Sequence, residues 1–255
     1  TYILKQPEGI SYAEKNIEIE KLQDMLALEG RAPNANALTY DQLYDEWKQI
    51  AVHQFEATNS RAELQDRLRT ALGTEWPDKV LSVQTRDHIV ISRLGVGDRV
   101  PGIWIEGRGT PALVVHPQGA ETAMSSPEVV EARRDGRPIL SIDAFQTGSA
   151  VAPRDRSGRY FLTFNRSDDA CRVQDILTAL AFIQSKIPGK VELVGLGKAA
   201  VWATFAAAVA PIHVELNGPL DHFRGSDDDF LHFFDVPGIQ RAGGLAAALR
   251  LNSGE

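Results

Sequence analysis

Residues 191–200, Val-Glu-Leu-Val-Gly-Leu-Gly-Lys-Ala-Ala, decide the fold of this chain. A short apolar run at 191–194 is followed by Gly195 and Gly197, and then by small residues through Val209. The apolar run is typical of a buried strand, the glycines of a tight turn, and the alanines of a closely packed helix. The stretch therefore predicts a strand, a glycine turn and a helix from residue 199 to residue 209.

The same alternation extends on both sides of this unit. Helices are predicted after Ser126-Pro127 and from Ser167 or Asp168, where capping residues precede apolar residues at helical spacing. Strands that alternate with helices form right-handed βαβ units, so we predict an α/β fold. Its sheet should be mostly parallel and covered by helices on both faces, which makes a three-layer sandwich. The strands of this part are predicted at residues 112–115, 139–142, 191–194 and 212–216.

The part of the chain before residue 111 has a different pattern. Apolar residues at every second position between residues 81 and 105 predict antiparallel strands ahead of the parallel ones. Still earlier, a helical pattern at 17–28 is followed by two capping boxes, each of which predicts a helix start. We therefore predict a helical lead-in or linker at 1–75 and an α/β domain at 76–255. The capping boxes are Thr39 with Gln42 and Ser60 with Glu63.

The C-terminal end of the sequence suggests a shortened sheet, and its first residue suggests a longer parent protein. Residues 226–250 are predicted to be helical, with a break at Pro237-Gly238. Only 58 residues follow Gly197 (255 minus 197), whereas each further strand and helix takes about 30. We expect the sheet to be truncated at its C-terminal end. Because residue 1 is Thr and not Met, we expect the sequence to be a processed product or a piece of a longer protein.

Composition excludes several classes of function. The 255 residues carry a net charge of −7 with pI near 5.4, which argues against nucleic acid as the main partner. No apolar run approaches the ~18 residues that a membrane helix needs. Cys171 is the one cysteine, so neither an internal disulfide nor a cysteine-based zinc site is expected. We expect no metal and, in the preferred interpretation below, no cofactor.

The glycine turn matches two motifs, and the first is the dinucleotide fingerprint G-x-G-x-x-G/A. Gly195, Gly197 and Ala200 fit it. Glu215 comes 20 residues after Gly195, at the predicted end of the next strand, where an acidic residue would meet a ribose hydroxyl. The turn alone thus permits a dinucleotide-binding module. Only 40 residues follow Glu215 (255 minus 215), and they are predicted to be helical, so further βαβ units are not expected.

The second motif is the nucleophile elbow, G-x-S-x-G, in which a strained turn lifts a serine above the sheet. Residues 195–199 fit it except that Gly197 stands where the serine would be. A glycine has no group that could form an acyl-enzyme. The predicted strand order also fits, because one strand ends in His116-Pro117-Gln118-Gly119, where an oxyanion loop would lie. The next strand ends at Asp143.

Three further stretches resemble bacterial acetyl-xylan-esterase-like α/β-hydrolases. Residues 165–180 are similar to the helix before the elbow of these proteins, and residues 237–245 to the segment before their seventh strand. Residues 38–43 resemble the linker between two such domains in tandem. The resemblance implies a carbohydrate-esterase lineage that is usually secreted or periplasmic. It also implies a possible esterase domain upstream, and an acylated sugar or polysaccharide as ligand.

Three hypotheses about function follow, in order of preference. The chain is a degenerate α/β-hydrolase-like domain that is not catalytic itself, or it hydrolyses esters without a serine, or it binds a dinucleotide. The second hypothesis requires other groups near the elbow to activate a water. The residues that we consider vestigial-site candidates are His116, Gln118, Asp143, Lys198, Asp221 and His222.

Overall fold

A computed structural model describes residues 21, 34–58, 60–218, 223 and 225–253. The chain divides into two units, residues 1–46 and 47–255. In the first unit the description covers Lys21 and residues 34–46. The helix predicted at 17–28 lies outside the described residues, apart from Lys21. The boundary predicted at residue 75 stays a prediction.

Both capping predictions locate the start of a helix. Helix α1 (Tyr40–Ala57) begins after Thr39, whose backbone N–H donates to Gln42 Oε1 at 2.9 Å, while Gln42 N–H donates to Thr39 Oγ1 at 3.3 Å. Helix α2 (Arg61–Leu72) begins after Ser60, whose Oγ accepts from Glu63 N–H at 3.3 Å. Only this half of the second box forms, because the Glu63 carboxylate pairs with Arg67 at 2.6 Å.

The described residues form one sheet of seven strands in the order β1-β2-β3-β5-β4-β6-β7. Strands β4 to β7 are parallel to one another, whereas β1, β2 and β3 pair antiparallel and β3 joins β5 antiparallel. This mixed sheet confirms the predicted α/β-hydrolase-like fold. The strands are β1 (Val80–Thr85), β2 (His88–Arg93), β3 (Val100–Ile105), β4 (Ala112–Val115), β5 (Ile139–Ile142), β6 (Val191–Gly195) and β7 (Val214–Asn217).

Helices cover both faces of the sheet, as predicted for a three-layer sandwich. One core lies between the sheet and helices α2, α6, α7 and α9, and a smaller one lies between the sheet and the α3–α4 segment. Buried side chains alternate between the two cores along the inner parallel strands β4, β5 and β6, as in β4, where Leu113 and Val115 face the first core and Val114 the second. The remaining helices are α3 (Ala120–Ala123), α4 (Pro127–Arg134), α5 (Phe161–Phe164), α6 (Asp168–Lys186), α7 (Ala199–Val209), α8 (Asp227–Phe233) and α9 (Gly244–Ser253).

Helix α7 is the most deeply buried helix among those described. All eleven of its residues are buried. Gly195 permits its close approach to β6, because a Cβ at Gly195 would lie 2.6 Å from the Ala200 Cα. The predicted helix bounds, 199–209, are confirmed. Leu64, Leu68 and Leu72 of α2 complete the same core.

The described residues after β7 are helical, with a break at Pro237-Gly238 between α8 and α9, as predicted. Strand β7 covers 214–217, so the predicted strand 212–216 began two residues early and ended one residue early. Pairing with β6 starts at Val214 opposite Val191, so the partner strand, and not the apolar Ile212, sets where β7 begins. Within the described part of the chain, every helix is too short or too polar to traverse a bilayer.

Candidate functional site

The turn between β6 and α7 has the geometry of an elbow, with a glycine at its centre. Gly197 has a φ of +52°, a left-handed conformation in which a side chain is strained. Apart from its chain neighbours, a Cβ at this position would meet only the Pro117 Cγ, at 3.8 Å. A side chain therefore has room at Gly197, above the carboxyl ends of β4 and β6.

The loop after β4 lies beside this turn. The Gln118 N–H donates to His116 Nδ1 at 3.0 Å, so this ring nitrogen is the acceptor in a local turn. His116 is half-buried and Gln118 is exposed. The loop therefore lies beside the elbow at Pro117. The His116 ring takes part in a hydrogen bond within the loop.

Asp143 follows β5 and is almost completely buried. Its Oδ1 accepts from the Ala120 N–H at 2.6 Å, and its Oδ2 accepts from the Ser149 N–H at 3.0 Å and the Ser149 hydroxyl at 2.6 Å. A Cβ at Gly119 or at Gly148 would overlap the same carboxylate, and both glycines have positive φ. The Asp143 carboxylate therefore ties the loops after β4 and β5 together.

Asp221 and His222 lie outside the described residues. The predicted position of Glu215 at the end of β7 is wrong. Glu215 is the second residue of β7, opposite Glu192 near the start of β6, and its carboxylate is 2.5 Å from Lys190 Nζ. The hydrogen bond from Lys190 holds the pKa of Glu215 below its usual range. The carboxylate thus lies toward the opposite end of the strands from Gly197, because Glu192 precedes Gly195 by three residues.

A cleft of about 550 Å³ opens next to the elbow, at the amino end of α6. Lys198 is the residue that joins it to the glycine turn. Acidic and basic side chains from four separate segments meet in it. The charged lining residues are Arg156, Arg159, Asp168, Asp169, Arg172, Lys198, His232 and Asp235, and the exposed ring of Tyr160 lies among them.

Asp169 is the buried centre of this cleft, with 4% of its surface exposed. Its Oδ1 accepts from Arg172 Nη1 and from Trp202 Nε1, each at 2.7 Å, and its Oδ2 accepts from the Asp235 N–H at 3.0 Å. Lys198 Nζ lies 4.0 Å from the same Oδ2 and stands over the Phe233 ring at 5.6 Å. Asp169 thereby joins α6, α7 and the segment after α8.

Lys198 therefore faces an anion within the chain, the Asp169 carboxylate. Its side chain is 41% exposed, so it borders the cleft while its ammonium faces Asp169. The neighbouring Asp168 pairs with Arg156 and lies 3.7 Å from Arg154. Five of the lining residues therefore already have charged partners within the chain: Arg156, Asp168, Asp169, Arg172 and Lys198.

One acidic group of the cleft, Asp235, has a raised pKa. Desolvation raises the pKa of Asp235, and the charges of Asp169 and Asp168 raise it further. Lys198 and His232 act in the opposite direction. In the described ranges, no group of three or more His, Cys, Asp or Glu side chains could bind a metal ion.

The sequence pattern did not identify this cleft. The pattern predicts only a helix start at Ser167 or Asp168, and it does not single out Asp169, His232 or Asp235. The available signal was the cluster of arginines at 154–159 just before the acidic start of α6. That cluster indicated ion pairs but could not show which carboxylate would be buried.

The half-buried Asp175 of α6 leads to a prediction about how stability depends on pH. The pKa of Asp175 is raised from 3.8 to about 7, mainly by desolvation. A backbone hydrogen bond with Phe145 and the charges of Arg93 and Arg166 oppose this shift, and the charge of Asp98 adds to it. Between pH 4 and about 7 the folded state therefore keeps a proton that the unfolded state releases. The contribution of this protonated group to the free energy of unfolding is fully present below pH 4 and is lost as the pH rises to about 7. We expect Asp175→Asn to flatten the fall in the free energy of unfolding across this window. Urea unfolding of both proteins at several pH values measures it; equal slopes would contradict the assignment.

Comparisons with known proteins add weak similarities. No protein-family model matches the chain, and no curated protein does either. A candidate hydrolase from Agrobacterium vitis S4 is 14% identical with a TM-score of 0.31, and the match covers 55% of this chain and 49% of that one. This chain therefore spans about half the length of that hydrolase.

Two further solved structures are similar to the same degree. An epoxide hydrolase is 15% identical with a TM-score of 0.34, and the match covers 69% of this chain and 76% of that one. A serine hydrolase from Cycloclasticus zankles is 11% identical with a TM-score of 0.33, and the match covers 69% of this chain and 63% of that one. These values are too low to support an argument, so the fold assignment depends on the strand order. By its sheet and its elbow, this chain has an α/β-hydrolase-like fold.

Proposed function

We propose that this chain is a non-catalytic α/β-hydrolase-like domain from a carbohydrate-esterase lineage resembling the acetyl xylan esterases. The observation that carries the proposal is Gly197, which occupies the centre of the elbow in a left-handed conformation. The nucleophile of an elbow must carry a hydroxyl or thiol to form an acyl-enzyme. The turn keeps the shape of an elbow and lacks the reactive group.

The alternative of hydrolysis without a serine is weakened by the contacts of its candidate groups. Asp143 accepts three hydrogen bonds from Ala120 and Ser149, so three of the roughly four lone pairs of its carboxylate are already occupied. A general base must have a free lone pair within hydrogen-bond range of the proton it takes. His116 Nδ1 accepts from Gln118 N–H. Neither group is arranged to activate a water.

The dinucleotide alternative is weakened by the position of Glu215. A carboxylate that binds a ribose should lie near the carboxyl end of its strand, beside the glycine turn. Glu215 instead pairs with Lys190 near the amino ends of β6 and β7. The elbow interpretation accounts for the turn and for the strand order, so we prefer it. An upstream esterase domain and an acylated sugar or polysaccharide are the partners that this proposal implies.

The proposal predicts the behaviour of a restored serine. We expect Gly197→Ser to fold, since a Cβ has room there, but to lose roughly 1–2 kcal/mol because a side chain is strained at this φ. Neither this variant nor the unaltered chain should hydrolyse an aryl acetate or acetylated xylan above the buffer rate, since a serine without a base is a weak nucleophile. Hydrolysis assays and thermal unfolding of both proteins measure this.

Gly197→Ala is the matched control, because it adds the same strain without a hydroxyl. The proposal is overturned if the unaltered chain turns over ester and His116→Ala or His222→Ala abolishes that turnover. Activity that appears only in Gly197→Ser, and not in Gly197→Ala, would instead show that a working base survives beside the elbow.

A further inference from the structure

Strand β1 is an exposed edge of the described sheet. Its only strand neighbour there is β2, and every residue from Leu81 to Thr85 is exposed. Leu81 and Val83 point to the same side, with 45% and 73% of their surfaces exposed. The strand contains neither a charged residue nor a proline, which are the usual devices that protect an edge from pairing. The opposite edge strand, β7, carries Glu215 with its Lys190 partner.

The outward hydrogen-bonding groups of β1 can be identified from the register. Leu94 N–H donates to Lys79 O at 3.0 Å, and Trp104 N–H donates to Asp87 O at 2.7 Å. Because antiparallel pairs alternate, the odd-numbered residues of β1 bond to β2. The N–H and C=O groups of Val80, Ser82 and Gln84 therefore face away from the sheet.

This edge is complementary to itself in one register. When Ser82 lies opposite Ser82 of a second copy, Leu81 of one copy faces Val83 of the other, and the exposed apolar side chains cover each other. In the same register Asp78, just before the strand, and Arg86, in the turn after it, would bring an acid of each copy toward a base of the other at both ends. A shift of the two strands by two residues in either direction moves Asp78 away from Arg86 of the other copy. A two-fold axis requires this kind of self-complementarity.

We propose that β1 is the contact surface for a second copy of this chain, which pairs antiparallel through Ser82 and joins two sheets into one. About six backbone hydrogen bonds would form across the axis, two from each facing pair of outward residues. The partner is a second copy because one segment, residues 78–86, supplies both the apolar pair and the flanking charges. This inference does not depend on whether the elbow is catalytic.

The oligomeric state of the full 255-residue chain tests the proposal. Sedimentation velocity over roughly 1–100 μM should show a monomer that converts to a dimer, as expected for an interface in the micromolar range. Ser82→Pro should remain a monomer throughout, because it removes an N–H that faces the partner and not β2. Ser82→Ala, which keeps that N–H, is the matched control and should dimerise like the unaltered chain.

Charge variants test the register. Asp78→Arg and Arg86→Asp should each raise the dissociation constant about tenfold, because like charges then meet at both ends. The double variant Asp78→Arg/Arg86→Asp should recover the original value. Glu131→Arg, at an exposed position of α4, changes the net charge by the same amount as Asp78→Arg and should have no effect. A chain that stays monomeric at 100 μM overturns the proposal, and so does a dimer that survives Ser82→Pro or that the charge exchange fails to restore.

Discussion

Replacing Asp169 with alanine should destabilise the folded chain by about 3–5 kcal/mol, since it takes the nearest carboxylate from the largely buried Arg172 and the acceptor from the buried Trp202 indole. The carboxylate accepts from the Arg172 guanidinium, the Trp202 indole N–H and the Asp235 N–H. The Trp202 and Arg172 donors would lose this acceptor in a place that water reaches poorly. Three segments would lose their common contact at once. Urea unfolding, followed by far-UV circular dichroism, measures the loss.

Asp168→Ala is the matched control, one residue earlier on the same helix turn. Its side chain is 22% exposed, and it pairs with Arg156, which is itself 45% exposed. A partly solvated pair of this kind contributes only about 1 kcal/mol or less. If Asp168→Ala proves as destabilising as Asp169→Ala, the burial of the carboxylate is not the reason for its importance.

Asp143→Ala should cost about 3 kcal/mol, because a buried carboxylate that holds two loops is lost with its hydrogen bonds. The Ala120 N–H, which is buried, would be left without an acceptor, and the two Ser149 donors would lose theirs. Gly119 and Gly148 approach the carboxylate so closely that no larger residue could take their places without moving it. The unfolding midpoint in urea is again the measurement.

Ser149→Ala separates the contributions, since it removes only the hydroxyl donor and should cost about 1 kcal/mol. The double variant should lose less than the sum of the two single variants, because both remove the same bond. An Asp143→Ala chain that is as stable as the parent would contradict the structural role. The group would then be free to act as a base.

Local sequence signals predicted most of the fold. Ser126 and Ser167 each accept a hydrogen bond from the N–H three residues later, and the helices begin there as expected. Such caps depend on neighbours in the sequence and can be recognised without the rest of the molecule. The short helix α3 was missed because its Gly119 start has no capping side chain.

The contacts of the site could not be predicted in the same way. Asp169 meets Trp202 and Asp235, which are 33 and 66 residues away along the chain. An acidic residue in the first turn of a helix is common, so nothing in the local pattern distinguished this buried carboxylate from its exposed neighbour. Gly197 was recognised because a turn between a strand and a helix is a local feature. The cleft beside it arises from segments that only the folded chain brings together.

The complete burial of α7 has a consequence for measuring these effects. Its backbone amides are shielded on every side, and the helix packs against β6, α2, α6 and α9. Exposing them to solvent requires these neighbours to separate as well, so no small local opening suffices. Amide hydrogen exchange in α7 therefore reports the free energy of global unfolding. In contrast, α1 has no buried residues, and its amides can exchange by fraying of the helix alone.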